Sequence, residues 1–251
     1  MLDRNLFVRP IAHRGLHSAA TGRLENTAPA FAAAIEAGYG IECDLRPARD
    51  GTPFVFHDAE LNRLVDATGP ISECSPEALS GMRYRNQEEQ ILAYSDLLAM
   101  IDGKVPLLVE IKNDWDIPDP RFLKGIAAQS LAYRDPLALM SFDPAVIVAM
   151  KSLAPALPRG IISGVYEGHH WWPEHIDKER AFRLTHCLEA GPADPSFIAY
   201  DVNALPTPVT RFAREVMRLP LFTWTVRTRE QQRIAAEWAD APIFEDCKPD
   251  V

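Results

Sequence analysis

Between Ile11 and Asp58 the chain carries His13-Arg14-Gly15, Glu25-Asn26-Thr27, Glu42-x-Asp44, Asp50-Gly51 and His57-Asp58, and later adds Glu110-Ile111-Lys112. Two histidines suit proton exchange near neutral pH. Arg14 can grip a phosphate with forked hydrogen bonds and Lys112 with a point charge. The carboxylates of Glu42, Asp44 and Glu110 make an all-oxygen set that suits Mg²⁺, Ca²⁺ or Mn²⁺ better than zinc. These are the parts that phosphodiester hydrolysis needs: a cation against the negative charge, an activated nucleophile, and an acid for a basic alkoxide leaving group.

Each residue also has a purely structural reading. Glu42 and Asp44, at i and i+2 on a strand, point to the same side. There they repel unless a metal ion offsets them, or a salt-bridge network with Arg14, Lys112 or Arg46 does so. A lone histidine at a strand end is commonly just hydrogen-bonded, but His13 and His57 flank an acidic pair, which favours proton transfer. Arg14 and Lys112 can be counter-ions before substrate arrives and phosphate ligands afterwards. Glu25 can orient a histidine or a substrate hydroxyl, or cap the following helix. Trp224 can pack on a substrate's carbon backbone or in the core. His169-His170-Trp171-Trp172 follows the strand at Arg159, which puts it at a barrel's catalytic rim, as part of an alcohol pocket or a subunit contact.

Such residues need rigid elements to hold them. Apolar runs of strand length alternate with amphipathic stretches of helical length, the signature of a β/α protein with parallel strands. Strand candidates begin near Ile11, Ile41, Phe54, Leu107, Leu137, Arg159, Phe197, Leu221 and Pro242, one more than a (β/α)8 TIM barrel requires. Between Leu45 and Phe54 there is room only for a turn carrying Asp50-Gly51, whereas a parallel connection takes roughly a dozen residues. The strand at Phe54 is therefore expected to run antiparallel, and a tight hairpin on Asp50-Gly51 predicts His57 opposite Asp44, with a bulge shifting it by a residue. Helices are predicted over Asn26 to Ala37, Pro144 to Leu153, Thr207 to Arg218 and Thr228 to Ala239. The weakly periodic segment from Glu60 to Ile101 reads as an excursion over the barrel mouth, or as an ordinary helical connection. The expected organisation is one domain, 1–251, with a small insertion over 58–101.

A length of 251 residues suits one such barrel, and 47% apolar residues fill a sizeable core. The formal charge of −9 argues against a nucleic-acid binder, because counterion release needs a basic surface. A small anionic substrate must then be met by local positive charge. No apolar run reaches signal-peptide or membrane-span length, so a cytoplasmic protein without stable membrane association is expected. Homo-oligomerisation stays open. Cys43, Cys74, Cys187 and Cys247 are scattered without a CxxC pair and read as reduced thiols.

The motifs share their order with a known family. Ile11-Ala12-His13-Arg14-Gly15, Leu24-Glu25-Asn26-Thr27, Ile41-Glu42-Cys43-Asp44-Leu45, Asp50-Gly51, Val55-Phe56-His57-Asp58, Val109-Glu110-Ile111-Lys112, Ser141-Phe142, Phe222-Thr223-Trp224-Thr225-Val226 and Ile243-Phe244-Glu245-Asp246-Cys247-Lys248-Pro249 together resemble the glycerophosphodiester phosphodiesterase family. That resemblance implies a (β/α)8 barrel with an insertion after the second histidine. It implies Glu42, Asp44 and Glu110 as ligands of one divalent cation, His13 and His57 as acid and base, and Trp224 on the substrate side. The implied reaction converts a glycerophosphodiester to glycerol 3-phosphate and an alcohol. Leu24 and Ala48 depart from the family's usual proline and threonine at the edges of these motifs, which bears on substrate preference more than on catalysis. Two alternatives are a lysophospholipase D or phosphoinositide-type phospholipase, which should show an apolar lip or basic surface, and a barrel that binds phosphorylated ligands without turnover.

Overall fold

The alternating segments close on themselves. The computed structural model describes residues 1–167 and 176–249, so the His169-His170-Trp171-Trp172 run lies outside the described residues. The strands are β1 (Ile11–Ala12), β2 (Gly40–Pro47), β3 (Pro53–Val55), β4 (Leu107–Ile111), β5 (Leu137–Ser141), β6 (Arg159–Ser163), β7 (Phe197–Asp201), β8 (Leu221–Val226) and β9 (Ala241–Phe244). All but β3 run parallel, and β1 pairs with both β2 and β9, which closes a (β/α)8 barrel. The strand starts fall within a residue of those expected, because each parallel strand is an apolar run bounded by polar loops.

The two-residue side-chain period divides inside from outside. Ile41, Cys43, Leu45, Leu107, Val109 and Ile111 face outward into the main core, packed by Phe31 and Ala34 of α2 (Ala28–Glu36; α1 is Arg4–Phe7) and by the later helices. Leu108, Met140, Ile162, Ala199, Phe222 and Ile243 fill the lumen, with Leu2 and Phe7 from the N-terminal segment. Glu42, Asp44 and Glu110 are therefore turned inward, above an apolar barrel floor.

The helices that wrap the barrel are α3 (Pro76–Gly81), α4 (Tyr94–Ile101), α5 (Pro120–Ala132), α6 (Pro144–Leu153), α7 (Lys178–Thr185), α8 (Pro208–Arg211) and α9 (Arg229–Trp238). Ser75, Asp119, Asp143, Asp177, Thr207 and Thr228 cap six of them through their side chains, each worth about 1 kcal/mol. The helix expected over 207–218 is split: α8 runs into a π-helical turn, Phe212–Val216.

The hairpin differs from expectation by one residue. Leu45 pairs with Val55, and the Phe56 amide donates to the Asp44 carbonyl, so Phe56 rather than His57 stands opposite Asp44. The cause is the turn. Ala48 pairs with Thr52 across a three-residue loop closed by Gly51 at φ +90°, where an added Cβ would sit 2.7 Å from Arg121 Cβ. His57 then lies just past β3, free of the ladder.

The excursion beyond His57 divides in two. Leu61, Val65, Ile71, Leu79, Tyr84 and Ile91 form a separate small core with Ala48, Phe54 and Phe56 of the hairpin. Tyr94, Leu97, Leu98 and Ile101 of α4 instead belong to the main core, so this helix is part of the barrel's outer layer. Leu24 and Ala48, the two departures from the family's pattern, both pack against the small core.

Candidate active site

Barrel strands deliver their C-terminal ends to one face, and the chemically capable residues collect there. His13 follows β1, Glu42 and Asp44 lie in β2, Glu110 in β4, Lys112 just beyond it, and Trp224 in β8. In the β2–β4 register Asp44 is the direct neighbour of Glu110. One carboxylate oxygen from each of Glu42, Asp44 and Glu110 lies within 4.8 Å of the others, and all three residues are buried.

Local backbone strain serves this cluster. Arg14 adopts φ +55°, a conformation that non-glycine residues rarely take. Its amide donates to Glu42 Oε2 at 2.9 Å, and its carbonyl accepts from the Asn26 amide at 2.9 Å. Gly15 follows at φ +78°, and a Cβ there would approach the Ala30 carbonyl carbon to 2.9 Å. The His-Arg-Gly turn is thus pressed onto the start of α2, and glycine is what permits the contact.

The charges interlock. Lys112 Nζ lies 2.9 Å from Asp44 Oδ1 and 2.6 Å from Glu110 Oε1. Arg14 places Nε 3.3 Å from Asp44 Oδ2 and donates to Glu25 Oε1 at 2.8 Å. The Asn26 amide group donates to Asp44 Oδ2 at 2.9 Å. Arg46 pairs instead with Asp114 and donates to the His57 carbonyl. Two cations therefore stand against three buried carboxylates. Burial, with Asp44 and Glu110 alongside, raises the Glu42 carboxyl well above the usual carboxylate range. Burial acts the same way on Asp44, yet Lys112, His57 and Arg14 hold it well below that range. Glu42 Oε1 is buried without a hydrogen-bond partner among the described residues. An all-carboxylate donor set with an orphaned oxygen and a residual negative charge fits a hard divalent cation.

The histidines each face a carboxylate outside the cluster. His57 Nδ1 lies 2.7 Å from Asp58 Oδ1, which leaves Nε2 for chemistry. His13 Nδ1 lies 3.6 Å from Glu245 Oε1, and its Nε2 lies 3.9 Å from Glu42 Oε2. Burial pushes His13 down to about 4, against the pull of Glu245. Glu245 is held in turn by His17 Nε2 at 2.8 Å and by the Arg227 guanidinium.

A cleft of about 610 Å³ opens over these groups, with His13, Arg14, Glu42, His57, Glu110 and Lys112 in its wall. Trp224 and Phe142 form its apolar side, edge to face at 5.1 Å, and Trp224 also packs against the lumen core. Glu25 is outside the wall. It holds Arg14 and Arg63, while the cap position of α2 falls to Thr27. Asn26, Asp58, Arg63 and Glu245 carry contacts that residue types alone did not assign. Asn26, Asp58 and Glu245 sit inside the quoted motifs, and their polar types beside a ligand or a histidine were the available signal. Arg63 had none.

Fold and site together define a (β/α)8 barrel whose C-terminal strand ends join a buried carboxylate cluster to Arg14 and Lys112. The sequence matches the Glycerophosphoryl diester phosphodiesterase family over residues 13–248, and the chain belongs to that family. It is 28% identical over 171 residues to a probable glycerophosphodiester phosphodiesterase 1 of Mycobacterium tuberculosis, an alignment spanning 59% of this chain and 61% of that protein's length. It is 26% identical over 250 residues to a glycerophosphodiester phosphodiesterase of Caldanaerobacter subterraneus, covering 94% of this chain and 93% of the relative. Its fold is shared with an Oleispira antarctica phosphodiesterase solved with the product sn-glycerol-3-phosphate, at TM-score 0.70 and 21% identity over 94% of this chain and 92% of that one. Among the described residues no helix is long and apolar enough to cross a membrane.

Proposed function

We propose that the chain is a metal-dependent glycerophosphodiester phosphodiesterase, releasing glycerol 3-phosphate and an alcohol from deacylated phospholipids such as glycerophosphocholine or glycerophosphoethanolamine. The observation that carries this reading is the meeting of Glu42, Asp44 and Glu110 with Arg14, Lys112, His13 and His57 at one cleft of a barrel in this family. The sn-glycerol-3-phosphate bound to the Oleispira phosphodiesterase of the same fold accords with it.

Glu42, Asp44 and Glu110 would hold Mg²⁺ or Ca²⁺, with Mn²⁺ as an alternative, and such an ion supplies charge stabilisation to the phosphoryl oxygens. Arg14 and Lys112 bind the non-bridging oxygens from the cleft wall. His13, kept neutral by burial, accepts the proton of the attacking hydroxyl. His57, turned by Asp58 so that Nε2 is available, protonates the departing alkoxide. Trp224 and Phe142 pack against the carbon backbone of the glycerol moiety.

The test follows glycerol 3-phosphate release from both substrates by chelator-treated protein, with Mg²⁺, Ca²⁺, Mn²⁺ or none, beside His13→Ala and His57→Ala. Metal-dependent release that both substitutions abolish is the expected result. In a parallel arm with lysophospholipids, release of choline or ethanolamine from the acylated substrates alone would move the reading to a lysophospholipase D, and tight binding without release would make the chain a binding protein.

A further inference from the structure

Arg63 belongs to the small insertion, carries no part of the cleft wall, and makes the densest set of charged hydrogen bonds near the site. Its Nε donates to Asp58 Oδ2 at 2.5 Å and its second terminal nitrogen to Asp58 Oδ1 at 3.0 Å. The same guanidinium donates to Glu25 Oε2 at 2.9 Å and to Glu25 Oε1 at 2.7 Å. Asp58 Oδ1 meets His57 Nδ1 at 2.7 Å, and Glu25 Oε1 accepts from Arg14 at 2.8 Å. One planar fork thus joins two carboxylates, each of which holds a different cleft residue. Lysine could not do this, because a single ammonium lacks the donors to pair both carboxylates bidentately.

We infer that Arg63 is a positioning residue that clasps Asp58 to Glu25 and so fixes His57 and Arg14 in one geometry at the cleft. This rests on the reading of His57 and Arg14 given above. It also gives the insertion a role in the reaction: the segment whose small core packs on the hairpin delivers a guanidinium to the back of both residues. Outer partners of this kind are typically worth about 10- to 100-fold in activity.

The experiment compares Arg63→Met and Arg63→Lys with Arg83→Gln, whose parent side chain pairs with Glu88 on the same insertion. The clasp predicts that Arg63→Met lowers kcat about 10- to 100-fold and raises KM, that guanidinium ion restores part of the loss where ammonium does not, and that Arg63→Lys remains impaired. Arg83→Gln should leave kcat and KM unchanged. In an Asp58→Asn background the effect of Arg63→Met should shrink, since the two act as one unit. A readout independent of turnover is the downfield Nδ1 proton of His57 in the NMR spectrum, expected in the parent and lost in Arg63→Met. If the parent releases no glycerol 3-phosphate, the functional reading fails, and the imidazole signal still decides the clasp. Unchanged kinetics in a folded Arg63→Met protein, or an unchanged His57 signal, would overturn the inference.

Discussion

Asn26 is a buried amide that meets Asp44 at both ends: its Nδ2 donates to Asp44 Oδ2, and its Oδ1 faces the Asp44 amide at 3.4 Å. Asn26→Ala should therefore lower divalent-cation affinity about 10- to 100-fold by releasing that ligand, which titration calorimetry on the chelator-treated protein would show. An affinity equal to the parent's would remove Asn26 from the site. The histidine roles can be separated by leaving group. An aryl phosphodiester with a weakly basic phenolate needs no acid, so His57→Ala should lose far less rate on it than on glycerophosphocholine, while His13→Ala should lose equally on both. The reverse pattern would exchange the two roles. Asp58 gives a pH test. Burial alone would raise its carboxyl, but His57 and Arg63 hold it well below the usual carboxylate range. Because the folded value lies below the unfolded one, this stabilisation is complete above about pH 5 and disappears as pH falls through the folded value. Asp58→Asn should then be the less stable protein at pH 7, with denaturant midpoints converging toward acid, and a gap constant with pH would contradict the assignment. At this scale the sequence was legible where chemistry is local, as in His13-Arg14-Gly15 or Glu42-x-Asp44. It was opaque where a partner lies across the fold: nothing near Arg63 in the chain marks it as the companion of Glu25.

Elements place these residues, and two turns show how far spacing alone can go. Loop length was enough to reverse the direction of β3, because a parallel crossover cannot be built from so few residues. It was not enough to set the register. Gly51 closes a three-residue loop and lies too close to Arg121, which belongs to α5 far along the chain, for any side chain to fit, a contact that spacing within the hairpin does not reveal. The turn after β1 has a sharper requirement. Gly15 combines φ +78° with a gap too small for a methyl group beside Ala30 and Phe31. Gly15→Ala should cost about 2–3 kcal/mol and should also depress activity in the protein that remains folded, since the turn it distorts holds Arg14. Denaturant unfolding beside kcat at a temperature where the variant is folded would check both, and a loss of stability with normal kcat would confine the glycine to packing. The insertion was the least legible element. Its periodicity is weak because its core is small and shared with the hairpin, so that Phe54 and Phe56 complete a cluster to which position alone does not assign them.

At the scale of the whole molecule the barrel is apolar at its floor and crowded with carboxylates at its mouth, and the second feature sets a cost in stability. Glu42 is the clearest case. It accepts the Arg14 amide through Oε2, but its other oxygen has no hydrogen-bond partner among the described residues, and its neighbours Asp44 and Glu110 repel its charge. Glu42→Gln keeps an acceptor for the Arg14 amide and removes one like charge from the cluster. The metal-free variant should therefore be more stable than the metal-free parent, by on the order of 1–2 kcal/mol, while losing glycerophosphodiester hydrolysis. Cation binding would relieve the same repulsion in the parent, so its thermal midpoint should climb with Mg²⁺ or Ca²⁺ concentration, by about 2.7 kcal/mol of stability at a hundredfold excess over Kd. In Glu42→Gln that climb should be small or absent, because one ligand and one charge are gone. Scanning calorimetry of both proteins, with and without the cation, separates the possibilities. A variant less stable than the parent in the absence of metal would show that Lys112 and Arg14 already compensate the cluster, and that the carboxylates are structural counter-ions rather than a site held ready for an ion.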